Sequence, residues 1–268
     1  MDPSNKYKPL DTSLLKDLLK DSIFKGNLIY KEHLDSTNRY AKELSENGAQ
    51  EGTVVVAEYQ SAGRGRMTRR WLAEPRTNLL FSVLLRPKAS IKELFIFNCT
   101  ASVAIVEGLW EVCRIGSGIK WPNDIYVGGK KIAGILAEFS IKSAVVEYVV
   151  IGIGLNVNWA PDQVGAGPEG ATSVLAESGK RVCRTRLLAS ILLRLGEYYH
   201  MVVSGNKKSL LDTYRNYSMV LGRKVKIIDG GKTLQARAID IREDGTLVVE
   251  SEQGVLKFLK WGDVSLRL

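Results

Sequence analysis

Arginine, glycine and lysine, rather than histidine, dominate the segments of this sequence that could carry chemistry. Between Gln60 and Trp71 the chain reads QSAGRGRMTRRW, with Arg64, Arg66, Arg69 and Arg70 falling within seven residues. Gly63 and Gly65 alternate with the first two arginines. Glycine lets a backbone come close to a ligand and expose its N–H donors, and guanidinium groups grip phosphate or carboxylate bidentately. A solvated basic hairpin loop would have the same composition, so this segment by itself leaves both readings open. A second segment is Lys120-Trp121-Pro122-Asn123-Asp124. Here lysine could neutralise charge developing at phosphorus or at a carboxyl oxygen. Asp124 could take Mg²⁺, a hard cation that shares oxygen ligands with substrate phosphates. A simple turn cornered on Pro122-Asn123 fits that spacing equally well. The third segment, GIGLNVN from Gly152 to Asn158, lacks the third glycine and the following helix of a dinucleotide fingerprint. Its paired glycines point to a bulge or a close backbone approach, and Asn156 offers a donor and an acceptor to a ribose or purine edge.

With two histidines, His33 and His200, a Ser-His-Asp triad or a histidine metal site is hard to build. Cys99, Cys113 and Cys183 are odd in number and form no C-x-x-C pair. They are expected to be free, buried thiols in a reducing cytoplasm, with no structural zinc. The net charge of +9 suits a nucleic acid, an acidic protein or a polyphosphate substrate. The local arginine cluster fits a compact anion better than a duplex. No apolar run approaches the roughly 18–20 residues of a membrane span; the best candidate, Val145 to Val157, carries Glu147 and several glycines. The polar N-terminus has no apolar signal core, which argues against secretion.

The elements that must position these residues follow from periodicity and punctuation. A short amphipathic helix is expected over Leu10 to Leu19 and a strand over Leu28 to His33. Asp35-Ser36-Thr37 should cap a helix from Asn38 to about Asn47, closed by Gly48. Thr53 to Tyr59 reads as a strand leading into the arginine loop, and Leu79 to Arg86 as another. Ile91 to Cys113 predicts a long helix, with Phe95, Cys99, Val103, Val106 and Trp110 on its buried stripe. Gly128-Gly129 should turn a hairpin, and Val145 to Asn158 should be a strand. Pro161 to Gly170 is a Gly/Pro loop, followed by helices over Arg184 to Val203 and Lys207 to Tyr217. From Val220 short alternating strands joined by Gly-Gly, Asp-Gly and Gln-Gly turns imply a small β-barrel. The 268 residues suit one sizeable core with such an appendage.

Taken together, DSTN (Asp35 to Asn38), EYQSAGRGRMTRRW (Glu58 to Trp71), KWPNDIYVGGKKIAGILAE (Lys120 to Glu138) and GIGLNVN closely resemble the biotin protein ligase family in order and in spelling. The resemblance covers most of the chain. It implies an α+β fold: a catalytic domain with a mixed central sheet flanked by helices, class II synthetase-like, plus a C-terminal SH3-like barrel. The divisions it implies are a linker with a short helix at 1–27, a biotin- and ATP-binding domain at 28–219 and the barrel at 220–268. It further implies formation of biotinyl-5′-AMP from biotin and ATP, then transfer of biotin to a lysine of the biotin carboxyl carrier protein of acetyl-CoA carboxylase or a related carboxylase. By the same resemblance Ser36, Thr37, Asn38, Gln60, Gly63, Arg64, Gly65, Arg66, Lys120 and Gly134 bind biotin. Arg64, Arg66, Trp71, Asn123 and Asn156 serve ATP, Lys120 and Arg66 are catalytic, and Asp124 is a candidate Mg²⁺ partner. Some family members carry an N-terminal helix-turn-helix repressor domain, which needs more than the roughly thirty-five residues that precede DSTN here. Repressor-type DNA binding and membrane association are therefore not expected, whereas a homodimer is compatible with the family. Two other readings are a lipoate–protein ligase, separable by ATP–pyrophosphate exchange with each acid, and a nucleic-acid-binding module. The latter would show salt-sensitive oligonucleotide binding.

Overall fold

The computed structural model describes residues 8–66, 69–143, 145–160, 170–229, 232–260 and 265–267. Its first element is α1 (Thr12–Leu18), capped by the Asp11 carboxylate, which accepts from the Leu14 N–H. Then come β1 (Leu28–Leu34), α2 (Thr37–Glu46), β2 (Thr53–Gln60) and β3 (Leu79–Leu85). A 3₁₀ turn at Ile91–Glu93 opens α3 (Leu94–Cys113), and its start is fixed by a capping box between Ser90 and Glu93. Next come β4 (Gly118–Lys120), β5 (Asp124–Val127), β6 (Lys130–Lys142) and β7 (Val145–Leu155). The helices α4 (Val174–Ser178), α5 (Arg184–Val203) and α6 (Lys207–Asn216) follow.

Seven strands form one mixed sheet in the order β1-β2-β3-β7-β6-β5-β4. The β1–β2 pair is parallel and the remaining pairs are antiparallel. Side chains alternate across the sheet. Val149, Ile151, Ile153 and Leu155 of β7, with Phe81 and Val83 of β3, join the main core shared with α3 and α5. On the opposite face Tyr148, Val150, Val55 and Leu84 lie under α2. Beyond α2 that face carries Gly152 and Gly154 of β7 and Gly134 of β6, so it stays open. Two-residue turns at Gly128-Gly129, both with positive φ, close the β5–β6 hairpin as expected.

The helix α3 is buried nearly all round from Phe95 to Leu109, as a helix apolar on every face must be. The expected stripe is therefore correct at Phe95, Cys99, Val103 and Val106 but wrong at Trp110. That indole is exposed, with Arg114 over its ring at 5.9 Å. This helix is long and apolar enough to cross a membrane, yet most of it lies in the core. The thiols also differ from expectation: Cys99 is buried, Cys113 half-buried and Cys183 exposed just before α5. The expected Gly/Pro loop at 161–169 lies outside the described residues.

The C-terminal strands β8 (Lys224–Asp229), β9 (Lys232–Ile241), β10 (Leu247–Glu250), β11 (Leu256–Leu259) and β12 (Ser265–Arg267) form an antiparallel sheet in the order β11-β10-β9-β8-β12. It is joined to the larger unit at a few points. The Trp121 Nε1–H donates to the Gly245 carbonyl at 3.0 Å, and the Arg215 guanidinium reaches the Ile241 carbonyl and Asp240. Gly245 has φ +86° and lies so close to the Phe95 ring that a Cβ would sit 2.4 Å from it. Within the larger unit Arg184 and Glu58, both nearly inaccessible, pair at 2.6 Å. Their remaining lone pairs and protons are met by the Leu10 N–H, the Lys8 carbonyl, the Tyr30 hydroxyl and the Asn78 carbonyl. Such partners are what a buried charge requires.

Candidate functional site

Parallel pairing of β1 and β2 sets Leu34 opposite Gln60, so the DSTN turn and the start of the arginine loop emerge side by side. The Thr37 N–H and hydroxyl both donate to Gln60 Oε1, at 2.7 and 3.0 Å. Ser36 and Asn38 are buried beside them. The arginine segment then folds back on itself. Arg64 bridges to Arg70, the Gly65 N–H donates to the Arg69 carbonyl at 2.7 Å, and the Trp71 N–H donates to Gly63 at 3.0 Å. This hairpin is pinned to KWPND by Arg66, whose Nη1 donates to Asn123 Oδ1 at 2.8 Å. Burial lowers the Arg66 guanidinium from its ordinary value, and nearby Asp124 opposes the shift.

KWPND spans the last residue of β4, the turn and the first residue of β5, with Lys120 paired to Asp124 in register. The Pro122 carbonyl accepts from the Tyr214 hydroxyl at 2.9 Å and from Asn98. Lys120 donates to the Tyr126 hydroxyl oxygen at 3.3 Å and lies 4.8 Å from its ring centroid. Burial, then repulsion by Asp124, raises the Tyr126 pKa. The phenol therefore stays protonated and can donate onward. These segments surround one cavity of about 650 Å³. Along its floor the Trp71 ring lies against bare strand backbone: a Cβ at Gly154 would meet the indole at 2.4 Å, and one at Gly134 at 3.1 Å. The Trp71 Nε1–H is buried and meets no acceptor among the described residues.

Comparison with known proteins agrees with this geometry. The biotin/lipoate A/B protein ligase family matches residues 30–156, and the biotin protein ligase C-terminal domain matches residues 220–267. A bifunctional ligase/repressor, BirA, of Bacillus subtilis is 34% identical over 252 residues, covering 92% of this chain and 77% of that protein. The chain belongs to the biotin protein ligase family. A biotin–[acetyl-CoA-carboxylase] ligase of Mycobacterium tuberculosis is 32% identical, with 80% of each chain covered. The solved biotin protein ligase of Aquifex aeolicus, in complex with biotin and ATP, superposes with a TM-score of 0.75 at 30% identity. That match covers 90% of this chain and 99% of the other.

Within this biotin protein ligase fold, all but one of the residues expected at the site line the same cavity. The exception is Gly63, which is buried at the base of the hairpin. A Cβ there would sit 2.5 Å from the Trp71 carbonyl, so its glycine serves the close approach of two backbones. Asn123 and Asn156 line the cavity, but their side chains are largely committed to protein: Asn123 to Arg66 and the Ile135 carbonyl, Asn156 to Asn78 and the Thr172 carbonyl. Asp124 is paired with Lys131 at 2.6 Å, and no cluster of three metal-ligating side chains occurs among the described residues. One carboxylate nonetheless suits Mg²⁺, which keeps waters and substrate phosphates as its other ligands.

Lys131 itself was missed by sequence reasoning. Strict alternation from Gly134 would turn Lys131 away from the cavity. The ladder instead slips between Ile125 and Tyr126, with Ile125 opposite Ala133 and Tyr126 opposite Lys131. The extra residue, Ile132, re-aims the lysine into the site, a common use of a bulge. Its Nζ lies 5.7 Å from the Trp71 ring centroid. A signal for it was present in the doubled lysine of GGKKIAG, but the slip was not.

Proposed function

We propose that this chain joins biotin to ATP as biotinyl-5′-AMP and then passes the biotinyl group to a lysine of a biotin carboxyl carrier protein. The observation that carries the reading is the convergence of DSTN, the glycine–arginine hairpin and KWPND around one cavity. The relatives' names support the acceptor class, a subunit of acetyl-CoA carboxylase or a similar enzyme. The cytoplasm is the compartment proposed for the reaction.

In the first step a biotin carboxylate oxygen attacks the α-phosphorus of ATP and pyrophosphate leaves. Two anions must be brought together, so the requirement is for cations rather than for a protein nucleophile. Lys120 of β4 and Lys131 of β6, on either side of β5, supply two ammonium groups, and Arg64 and Arg66 supply guanidinium groups from the hairpin. Ser36, Thr37 and Gln60 have donors and acceptors that suit a ureido ring, and Asn38, whose amide is committed to Leu136, Glu138 and Ser82, packs beside them. Gly65 offers backbone, and Gly134 leaves space on the floor. The Trp71 indole suits adenine stacking, with Asn123 and Asn156 holding the walls of the nucleotide end. Asp124 would be the protein ligand of a Mg²⁺ ion, which would offset phosphate charge. In the second step an uncharged acceptor amine attacks the acyl carbon and AMP leaves. No covalent enzyme intermediate is required.

ATP–pyrophosphate exchange with biotin, and separately with lipoate, tests the assignment. Exchange dependent on biotin is expected. Exchange with lipoate only would overturn it.

A further inference from the structure

Glu138 lies on β6, four residues beyond Gly134, between Asn38 of α2 and Arg64 of the hairpin. Its side chain is 18% exposed, and its two oxygens face different parts of the site. Oε2 accepts from Asn38 Nδ2 at 2.9 Å, and Oε1 faces Arg64 Nη1 and Lys42 Nζ, each at 3.4 Å. Asn38 is held from every other side. Its Nδ2 also donates to the Leu136 carbonyl at 3.1 Å, and its Oδ1 accepts from the buried Ser82 hydroxyl at 2.6 Å. It rests on Gly152, where a Cβ would fall 1.9 Å from that Oδ1. Ser82 Oγ is also 2.8 Å from Thr37 Oγ1, and the Thr37 backbone N–H donates to Gln60.

A continuous polar path therefore runs from Gln60 and Thr37 through Ser82 and Asn38 to Glu138, and from there to Arg64. One end touches the groups that face the ureido ring, and the other is the hairpin that contacts the adenylate. We propose that Glu138 is a positioning residue that ties Arg64 of the glycine–arginine hairpin to Asn38, so that the hairpin's hold on biotinyl-5′-AMP is set from the biotin end. The proposal rests on the function stated above. Glu138 touches neither reacting group. It fixes the amide orientation of Asn38 through one oxygen and draws the hairpin arginine inward with the other.

Release of biotinyl-5′-AMP from pre-loaded full-length protein, chased with excess unlabelled biotin and ATP, tests this. Glu138→Gln retains an acceptor for Asn38 but loses the charge facing Arg64. It should speed release about three- to fivefold, the scale of a partly exposed ion pair. The KM for biotin should rise with it, while the KM for ATP and the melting temperature hold. Arg64→Ala should speed release comparably, and combining it with Glu138→Gln should add nothing further. Lys42→Ala should leave release as in the wild type, because Lys42 lies on α2 outside the hairpin. Wild-type release rates in Glu138→Gln, multiplicative effects in the double variant, or equal acceleration by Lys42→Ala would each overturn the link. Absence of any adenylate from the wild-type protein would instead remove the functional reading on which the link depends.

Discussion

Lys120 and Lys131 are separate cations on β4 and β6, the two strands that flank β5, and their surroundings differ. Lys120 faces a neutral phenol, Tyr126, whereas Lys131 is held by the Asp124 carboxylate at 2.6 Å. Lys120→Ala should lower adenylate formation on the order of 10²- to 10³-fold, the loss typical of one preorganised charge or donor, with the fold intact. Pyrophosphate exchange and circular dichroism measure the two parts; normal turnover would dismiss the charge-neutralising role. Arg66 reaches Asn123 across the cavity and joins the hairpin to KWPND. Arg66→Gly should free that end of the hairpin, so that escaping biotinyl-5′-AMP labels lysines of bystander proteins. Labelling confined to the acceptor would count against Arg66 as a clamp.

The β6–β7 pair is the element on which the cavity is built, and its glycines are spacing devices rather than sources of flexibility. Gly152 gives room to Asn38 and Gly154 to Trp71. Gly154→Ala should force the indole aside at a cost of roughly 1–3 kcal/mol. Isothermal titration should then show weakened nucleotide binding, with biotin binding less affected. Unchanged ATP affinity would mean that Trp71 does not border the nucleotide. This close approach was legible in the sequence, because paired glycines inside a strand carry that meaning. So were the order of the strands' motifs, the Gly128-Gly129 turn and the residues of the hairpin. Lys131 was not, since a bulge changes which face a side chain takes without changing composition. Trp110 was misplaced because α3 is apolar all round, and its repeat contains no information about which end emerges. The role of Gly63 was hidden for a related reason: a glycine that admits a ligand and one that admits another backbone look alike in a string of letters.

At the scale of the whole molecule, the C-terminal sheet and the larger unit share polar contacts, of which Trp121 to Gly245 is buried. Trp121→Phe would orphan the Gly245 carbonyl and cost about 1 kcal/mol, which corresponds to a melting temperature lower by about 2–4 °C in a chain of this size. Differential scanning calorimetry would detect it; an unshifted transition would show that the contact contributes nothing. Buried acids set the alkaline limit. Burial raises both the Tyr214 phenol and the Cys99 thiol well above their ordinary values. The unfolded chain would therefore lose these protons first as pH rises. Their contribution is complete below about pH 8 and declines above it, first as the cysteine and then as the tyrosine of the unfolded chain ionises. Melting temperatures measured between pH 7 and 10.5 should fall on the alkaline side, less steeply in Tyr214→Phe; a flat profile would contradict this. The Arg184–Glu58 pair carries a consequence of another kind. Replacing either partner singly strands a charge in the core, whereas exchanging both for matched apolar residues can be nearly neutral. Across evolutionary time these two sites, 126 positions apart in the chain, are thus free to drift only as a couple, and a homologue that has abandoned one should have abandoned the other.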